Sequence, residues 1–94
     1  MEISDFQGTV GDIYLARDRE RGVDATFRWF TEEVGELARA IRTGERANRE
    51  LEVSDVLAWL ASLANLLDVD LNEAAARYAD GCPKCHASPC SCPM

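Results

Sequence analysis

Apolar residues recur at alternating spacings of three and four along the chain, the repeat of an α-helix that buries one face. One stripe follows Asp24, and a second, broader one covers residues 53–67 and predicts a helix that is buried on most sides. The first stripe contains Phe27, Phe30, Val34, Leu37 and Ile41. No β-rich alternating run and no internal repeat accompanies them, so the pattern predicts an all-α fold.

Turn and capping residues indicate where these helices begin and end. Side chains that can cap a helix start precede three of them: Ser4 (in a capping box with Gln7), Asp24, and Asp70 (with Glu73). Glycines stand at the expected stops: Gly22, Gly44 and Gly81. The third helix is expected to start between residues 46 and 49, and the short fourth to run to about Tyr78. We therefore expect an antiparallel bundle of about four helices.

Composition narrows the classes of function. A net charge of −7 opposes binding to a phosphate backbone, so we expect no nucleic-acid partner, although divalent cations can bridge carboxylates to nucleotides. The longest apolar run, residues 56–67, is too short and too interrupted to span a membrane. The N-terminus lacks a basic stretch followed by an apolar core, so a cytoplasmic location is expected. With only 94 residues the core is thin, and apolar helix faces predict at least a homodimer.

Two short acidic patterns carry the chemistry. The second helix contains Glu32, Glu33 and Glu36, and the third contains Glu52 and Asp55. At about 100° per residue, both patterns lie at the edge of an apolar face and are expected to face each other across the helix pair. Clustered carboxylates repel one another unless a cation lies between them, and all-oxygen ligands favour Mg²⁺ or Mn²⁺.

Acidic runs are more often solvated helix surfaces than metal sites. Arg39 and Arg49 lie within reach of some of the glutamates and could pair with them. No Lys or Arg stands three or four residues from Asp55, however, and the second acidic pattern is embedded in apolar sequence, where unpaired carboxylates are costly.

Residues 29–40 (WFTEEVGELARA) and 51–60 (LEVSDVLAWL) resemble the two halves of the MazG-like signature, EExxE followed by ExxD. Residues 67–75 and the Ser4–Gln7 opening resemble the family's flanking segments, so the resemblance covers most of the chain. It implies an all-α nucleoside triphosphate pyrophosphohydrolase, forming dimers or dimer-based tetramers, that cleaves (d)NTP to (d)NMP and pyrophosphate. Removal of non-standard nucleotides is one role that such an enzyme could serve.

The resemblance also implies roles for residues. The expected Mg²⁺ ligands are Glu33, Glu36, Glu52 and Asp55. Glu32 would be a ligand or would position the attacking water. Where relatives carry phosphate-contacting lysine and asparagine, the nearest residues here are Arg77 and Asn72.

The site for the base is less constrained by the sequence. Trp29, Trp59 or Phe6 could stack a base, although aromatic residues at helical spacing are more often part of a core. Gln7 could contact a base edge, or could serve only as part of the capping box.

All four cysteines lie near the C-terminus, so we divide the chain into a helical catalytic domain, residues 1–80, and a Cys-rich tail, residues 81–94. Cys82 and Cys85 have a zinc-knuckle spacing, and Cys90 and Cys92 could complete a structural Zn²⁺ site, with His86 as a possible substitute ligand. A CxxC redox pair and a disordered thiol tail are the alternatives.

Two non-enzymatic functions compete with hydrolysis. The first is a helical dimerisation or adaptor module whose zinc-binding tail contacts a partner, with the glutamates as surface charges. The second is a regulator that binds metal and nucleotide without hydrolysing it.

Overall fold

A computed structural model describes all 94 residues and contains four α-helices and no β-strand. These are α1 (Ile3–Arg21), α2 (Val23–Thr43), α3 (Arg46–Leu66) and α4 (Leu71–Ala75), and a 3₁₀ turn (Ala76–Tyr78) follows α4. The predicted all-α class is confirmed. α3 is the central element, because it packs along α2 and also against α1, whereas α1 and α2 touch only briefly.

Several predicted helix ends are confirmed. Gly44 follows α2 with φ 79°, a left-handed conformation that glycine adopts without strain, and its N–H donates to the Ala40 carbonyl at 3.1 Å. Asp70 caps α4, since its Oδ1 accepts hydrogen bonds from the backbone N–H groups of Asn72 and Glu73. α2 and α3 are separated by only two residues and therefore form a helical hairpin.

Two predicted caps are wrong. α1 begins at Ile3 without a side-chain cap, so Ser4 lies inside the helix. Asp24 lies in the first turn of α2, because the single residue Gly22 both ends α1 and precedes α2, which leaves no extended residue after it for a cap. The Asp24 carboxylate still lies near the positive end of the helix dipole.

Gln7 links α1 to the end of α3. Its Nε2 donates to Asn65 Oδ1 at 3.0 Å and to the Val69 carbonyl at 2.7 Å, and its Oε1 accepts from Leu71 N–H at 2.8 Å. Both amide hydrogens are therefore used inside the fold. Gln7 therefore joins α1 to the segment after α3, a structural role different from the two that the sequence suggested, a capping box and a base contact.

The buried core is small. Only eight of the 94 residues are buried, and five of these are hydrophobic. The expectation that the third helix is buried on most sides holds in the single chain only for residues 61–64. A stripe on α2 remains exposed and is apolar: Val23, Phe27, Val34 and Ile41. No helix is both long enough and apolar enough to cross a bilayer.

Candidate active site

Three carboxylates converge between α2 and α3. Glu33 and Glu36 lie one turn apart on α2, and Glu52 lies opposite them on α3. Each offers a carboxylate oxygen, and these three oxygens lie within 4.8 Å of one another. We call Glu33, Glu36 and Glu52 the acidic cluster. The facing arrangement expected from helical spacing thus brings three of the five acidic residues together.

The acidic cluster carries uncompensated negative charge. Loss of hydration and, after it, the negative charges of Glu36, Asp55 and Glu52 together raise the pKa of Glu33 to about 7. The pKa of Glu52 is raised too, first by loss of hydration and then by the charges of Glu36 and Asp55. The Oε2 atoms of Glu33 and Glu52 are buried and accept no hydrogen bond.

No basic side chain neutralises this charge. The one ion pair of the chain joins Arg21 to Asp18, and neither Arg39 nor Arg49 pairs with a carboxylate. The salt-bridged surface that would explain the glutamates without a metal is therefore not formed.

The other two acidic residues lie at the margins. Asp55 stands outside the acidic cluster, yet its charge raises the pKa values of Glu33 and Glu52, and its side chain lines an adjoining cavity. Glu32 is exposed on α2, on a surface that it shares with Gly35, Glu36 and Arg39, and does not join the acidic cluster.

The cavity beside Asp55 has a volume of about 160 Å³ and lies between α1 and α3. Asp18 on α1 is its most unusual residue, with only 1% of its surface exposed. Its Oδ1 accepts a hydrogen bond from Arg21 at 2.8 Å, whereas its buried Oδ2 has no partner. The remaining lining residues are Tyr14, Arg17, Arg21, Asp55, Ala58, Trp59 and Ser62.

A family model described as the MazG nucleotide pyrophosphohydrolase domain matches residues 21–86, well over half of the chain. The chain belongs to the MazG family. The match contains the whole of α2, α3 and α4, and hence every residue of the acidic cluster. No curated protein matches the sequence significantly.

Sequence reasoning missed the cavity that α1 forms beside Asp55. Asp18 and Arg17 carry no recognisable motif, and the only available signal was the spacing of Asp18 and Arg21, which suits an ion pair one helical turn apart. Helical periodicity places side chains on a face, but it does not say which helix covers that face.

The two tryptophans stack on each other. Trp29 and Trp59 have ring centroids 6.1 Å apart at an angle of 17°, and the Arg21 guanidinium lies 4.9 Å from the Trp59 ring centroid. Trp59 is thereby half-buried against two neighbours, while Trp29 remains 52% exposed. Of the two rings, Trp29 has the more open surface for a base.

Arg77 lies apart from both the cavity and the acidic cluster. It belongs to the 3₁₀ turn, and its guanidinium lies 5.8 Å from the ring centroid of its neighbour Tyr78. The structure therefore does not bring Arg77 to the carboxylates.

The four cysteine sulfurs form a second cluster, well separated in the sequence from the first. The Sγ atoms of Cys82, Cys85, Cys90 and Cys92 lie within 4.8 Å of one another, and all four thiols are free. His86 is exposed and does not belong to the group.

Proposed function

We propose that this MazG domain is a Mg²⁺- or Mn²⁺-dependent nucleoside triphosphate pyrophosphohydrolase that converts (d)NTP to (d)NMP and pyrophosphate. The observation that carries the proposal is the acidic cluster: three converging carboxylates, two of them with buried, unpartnered oxygens, and no basic partner. Family membership supports the reaction type.

The donor set fits a hard divalent cation. Glu33, Glu36 and Glu52 would hold it, and Asp55, one turn beyond Glu52, would supply a further carboxylate. When bound, such a cation neutralises phosphate oxygens and lowers the pKa of a water molecule. A carboxylate of the cluster that is not fully engaged can accept the proton of the attacking water. Because the ligands project from two packed helices, their positions are fixed before substrate arrives.

The cavity beside Asp55 suits the nucleoside. Tyr14, Ala58 and Trp59 give it apolar walls, and its volume accommodates one ring system rather than a whole nucleotide. The unpartnered Oδ2 of Asp18 can accept an N–H or O–H of the bound group, which relieves an unsatisfied buried oxygen. The phosphates would then extend past Asp55 to the acidic cluster.

We expect Arg17, rather than Arg77, to contact the phosphates, because it lines the same cavity as Asp55 and forms no ion pair. We expect Arg17→Ala to raise KM for the triphosphate about 10-fold, the loss of one charge-assisted hydrogen bond. Arg77→Ala is the matched control and should leave KM unchanged. Steady-state kinetics on both variants check this, and a larger effect at Arg77 would contradict the placement.

Self-association would cover the exposed stripe on α2. Val23, Phe27, Val34 and Ile41 are between 39% and 60% exposed, and Phe27, Val34 and Ile41 repeat every seven residues, a spacing that suits packing against another helix. A second copy of the chain is the occupant that we propose, giving a homodimer or a dimer-based tetramer.

Placing a charge in this stripe should dissociate the dimer. Val34→Glu is expected to raise the dimer dissociation constant at least about 10-fold, because a carboxylate would be buried without a partner. Arg28→Gln changes the net charge equally on another face of α2 and should have no effect. Sedimentation equilibrium measures both, and a folded wild-type monomer at micromolar concentration would refute the proposal.

The enzymatic proposal is tested by pyrophosphate release from a panel of common and modified (d)NTPs with Mg²⁺ or Mn²⁺. Metal-dependent release from at least one triphosphate supports it. A higher kcat/KM for modified than for common nucleotides would favour a role in removing non-standard nucleotides. If no triphosphate is hydrolysed, nucleotide binding without turnover favours the regulator, and no binding favours the adaptor module.

A further inference from the structure

The Cys-rich tail forms a compact knuckle although it contains no helix and no buried residue. Its fold depends on a short turn: Cys82 N–H donates to the Ala87 carbonyl at 3.0 Å, and His86 N–H donates to the Cys82 carbonyl at 2.8 Å. Gly81 permits this turn, because its φ is 109° and a Cβ there would lie 3.0 Å from the Ala87 oxygen. An apolar core is absent, so something else must hold the turn closed.

Backbone amides point at the sulfur atoms. Lys84 N–H donates to Cys82 Sγ at 3.4 Å, Ser91 N–H to Cys85 Sγ at 3.3 Å, and Cys92 N–H to Cys90 Sγ at 3.3 Å. Donors directed at sulfur stabilise the thiolate, which is the form that binds metal. The sulfurs of Cys82, Cys85 and Cys90 thus each accept a hydrogen bond from a backbone N–H.

Two of the sulfur–sulfur distances fit a tetrahedral Zn²⁺ site. Zn²⁺ binds thiolates at about 2.3 Å, and a tetrahedron with arms of that length has edges of about 3.8 Å. Cys82 Sγ and Cys92 Sγ lie 3.7 Å apart, and Cys85 Sγ and Cys90 Sγ lie 3.9 Å apart. Each of these pairs joins the first half of the knuckle to the second, as one central ion would.

We propose that Cys82, Cys85, Cys90 and Cys92 bind one structural Zn²⁺ ion in a tetrahedral all-thiolate site. Each thiol that binds releases its proton to solvent, and the ion then replaces the missing apolar core of residues 81–94. Soft sulfur ligands select Zn²⁺ against the Mg²⁺ proposed for the acidic cluster, so the two sites would be loaded independently. His86 is not a ligand, because the four sulfurs already complete the coordination number of structural zinc.

Metal analysis of the full chain, purified without chelators, tests the proposal. We expect about one zinc per chain, retained through dialysis against excess Mg²⁺. Cys85→Ser and Cys92→Ser should each lower the zinc content at least about 10-fold, whereas the matched neighbour variant His86→Ala should retain it. Replacement by Co²⁺ should give the visible absorption bands of a tetrahedral thiolate complex.

Other outcomes would overturn it. Zinc-free protein whose four thiols all react freely in the native state would mean that the tail holds no metal. Disulfides in protein prepared under reducing conditions would indicate a redox pair instead. Loss of zinc in His86→Ala with retention in Cys92→Ser would refute the all-cysteine ligand set. Because the tail contains no helix, an unchanged far-UV circular dichroism spectrum confirms that each variant keeps its helical domain.

Discussion

Replacing Glu33 by glutamine is expected to lower kcat/KM for the triphosphate at least about 100-fold while the protein stays folded. The amide keeps the shape of the side chain but removes one charge from the acidic cluster, and lost charge stabilisation of a few kcal/mol corresponds to that factor. In the absence of metal, Glu33→Gln should be no less stable than the wild type, because the Glu33 carboxylate is repelled by Glu36, Asp55 and Glu52.

Two matched variants make this prediction specific. Glu50→Gln, on α3 but exposed and outside the acidic cluster, should retain wild-type activity. Glu32→Gln should lower turnover less than Glu33→Gln, since Glu32 does not join the cluster. Steady-state kinetics and thermal melts of the three variants decide the matter. Equal activity of Glu33→Gln and Glu50→Gln would show that the acidic cluster takes no part in the reaction.

Mg²⁺ is expected to raise the melting temperature strongly above pH 7 and only slightly well below it. At about 100 times its dissociation constant, a ligand adds about 2.7 kcal/mol to the free energy of unfolding, which corresponds to about 10 °C or more for a domain of this size. The ion competes with the proton on Glu33, whose pKa is raised to about 7 by loss of hydration and by its acidic neighbours.

Without metal, the stability of the protein should fall as the pH rises, whereas the stabilisation by Mg²⁺ should grow. Between the ordinary pKa of 4.5 and about 7, the folded state keeps a proton on Glu33 that the unfolded state has released. The free energy of unfolding should therefore fall as the pH rises through this range, and the raised pKa of Glu52 acts in the same direction. Melts at about pH 5.5 and about pH 8, with and without Mg²⁺, measure both effects. A Mg²⁺ shift that is independent of pH, or that survives in Glu33→Gln, would contradict this account.

The α2–α3 hairpin was predictable from sequence because both its packing and its chemistry are local. Helical spacing placed Glu33 and Glu36 on one flank of an apolar stripe, and the turn at Gly44 brought Glu52 opposite them. The same reasoning placed Glu32 near the cluster, whereas the structure leaves it on the exposed surface. One step along a helix rotates a side chain by about 100°. Spacing alone therefore does not decide whether a residue at the edge of a helix face joins the cluster or points to solvent.

The α1 side of the site was not predictable from sequence. The cavity depends on α1 packing against α3, a contact between residues far apart in the chain, and its central residue, Asp18, looks like any helical aspartate. Gln7 shows the same limit, because its partners Asn65, Val69 and Leu71 are about 60 residues away. Capping patterns were reliable at Gly22, Gly44 and Asp70. They failed at Ser4, which lies inside α1, and at Asp24, because α1 and α2 share the single residue Gly22.

Phosphorus NMR of the reaction mixture tests the central claim most directly. With Mg²⁺ present, wild-type protein and a hydrolysed triphosphate should give only nucleoside monophosphate and pyrophosphate, and Glu33→Gln should give neither at a measurable rate. Orthophosphate with a nucleoside diphosphate would contradict the proposed chemistry, and an unchanged product signal in Glu33→Gln would show that the acidic cluster is not where the reaction occurs.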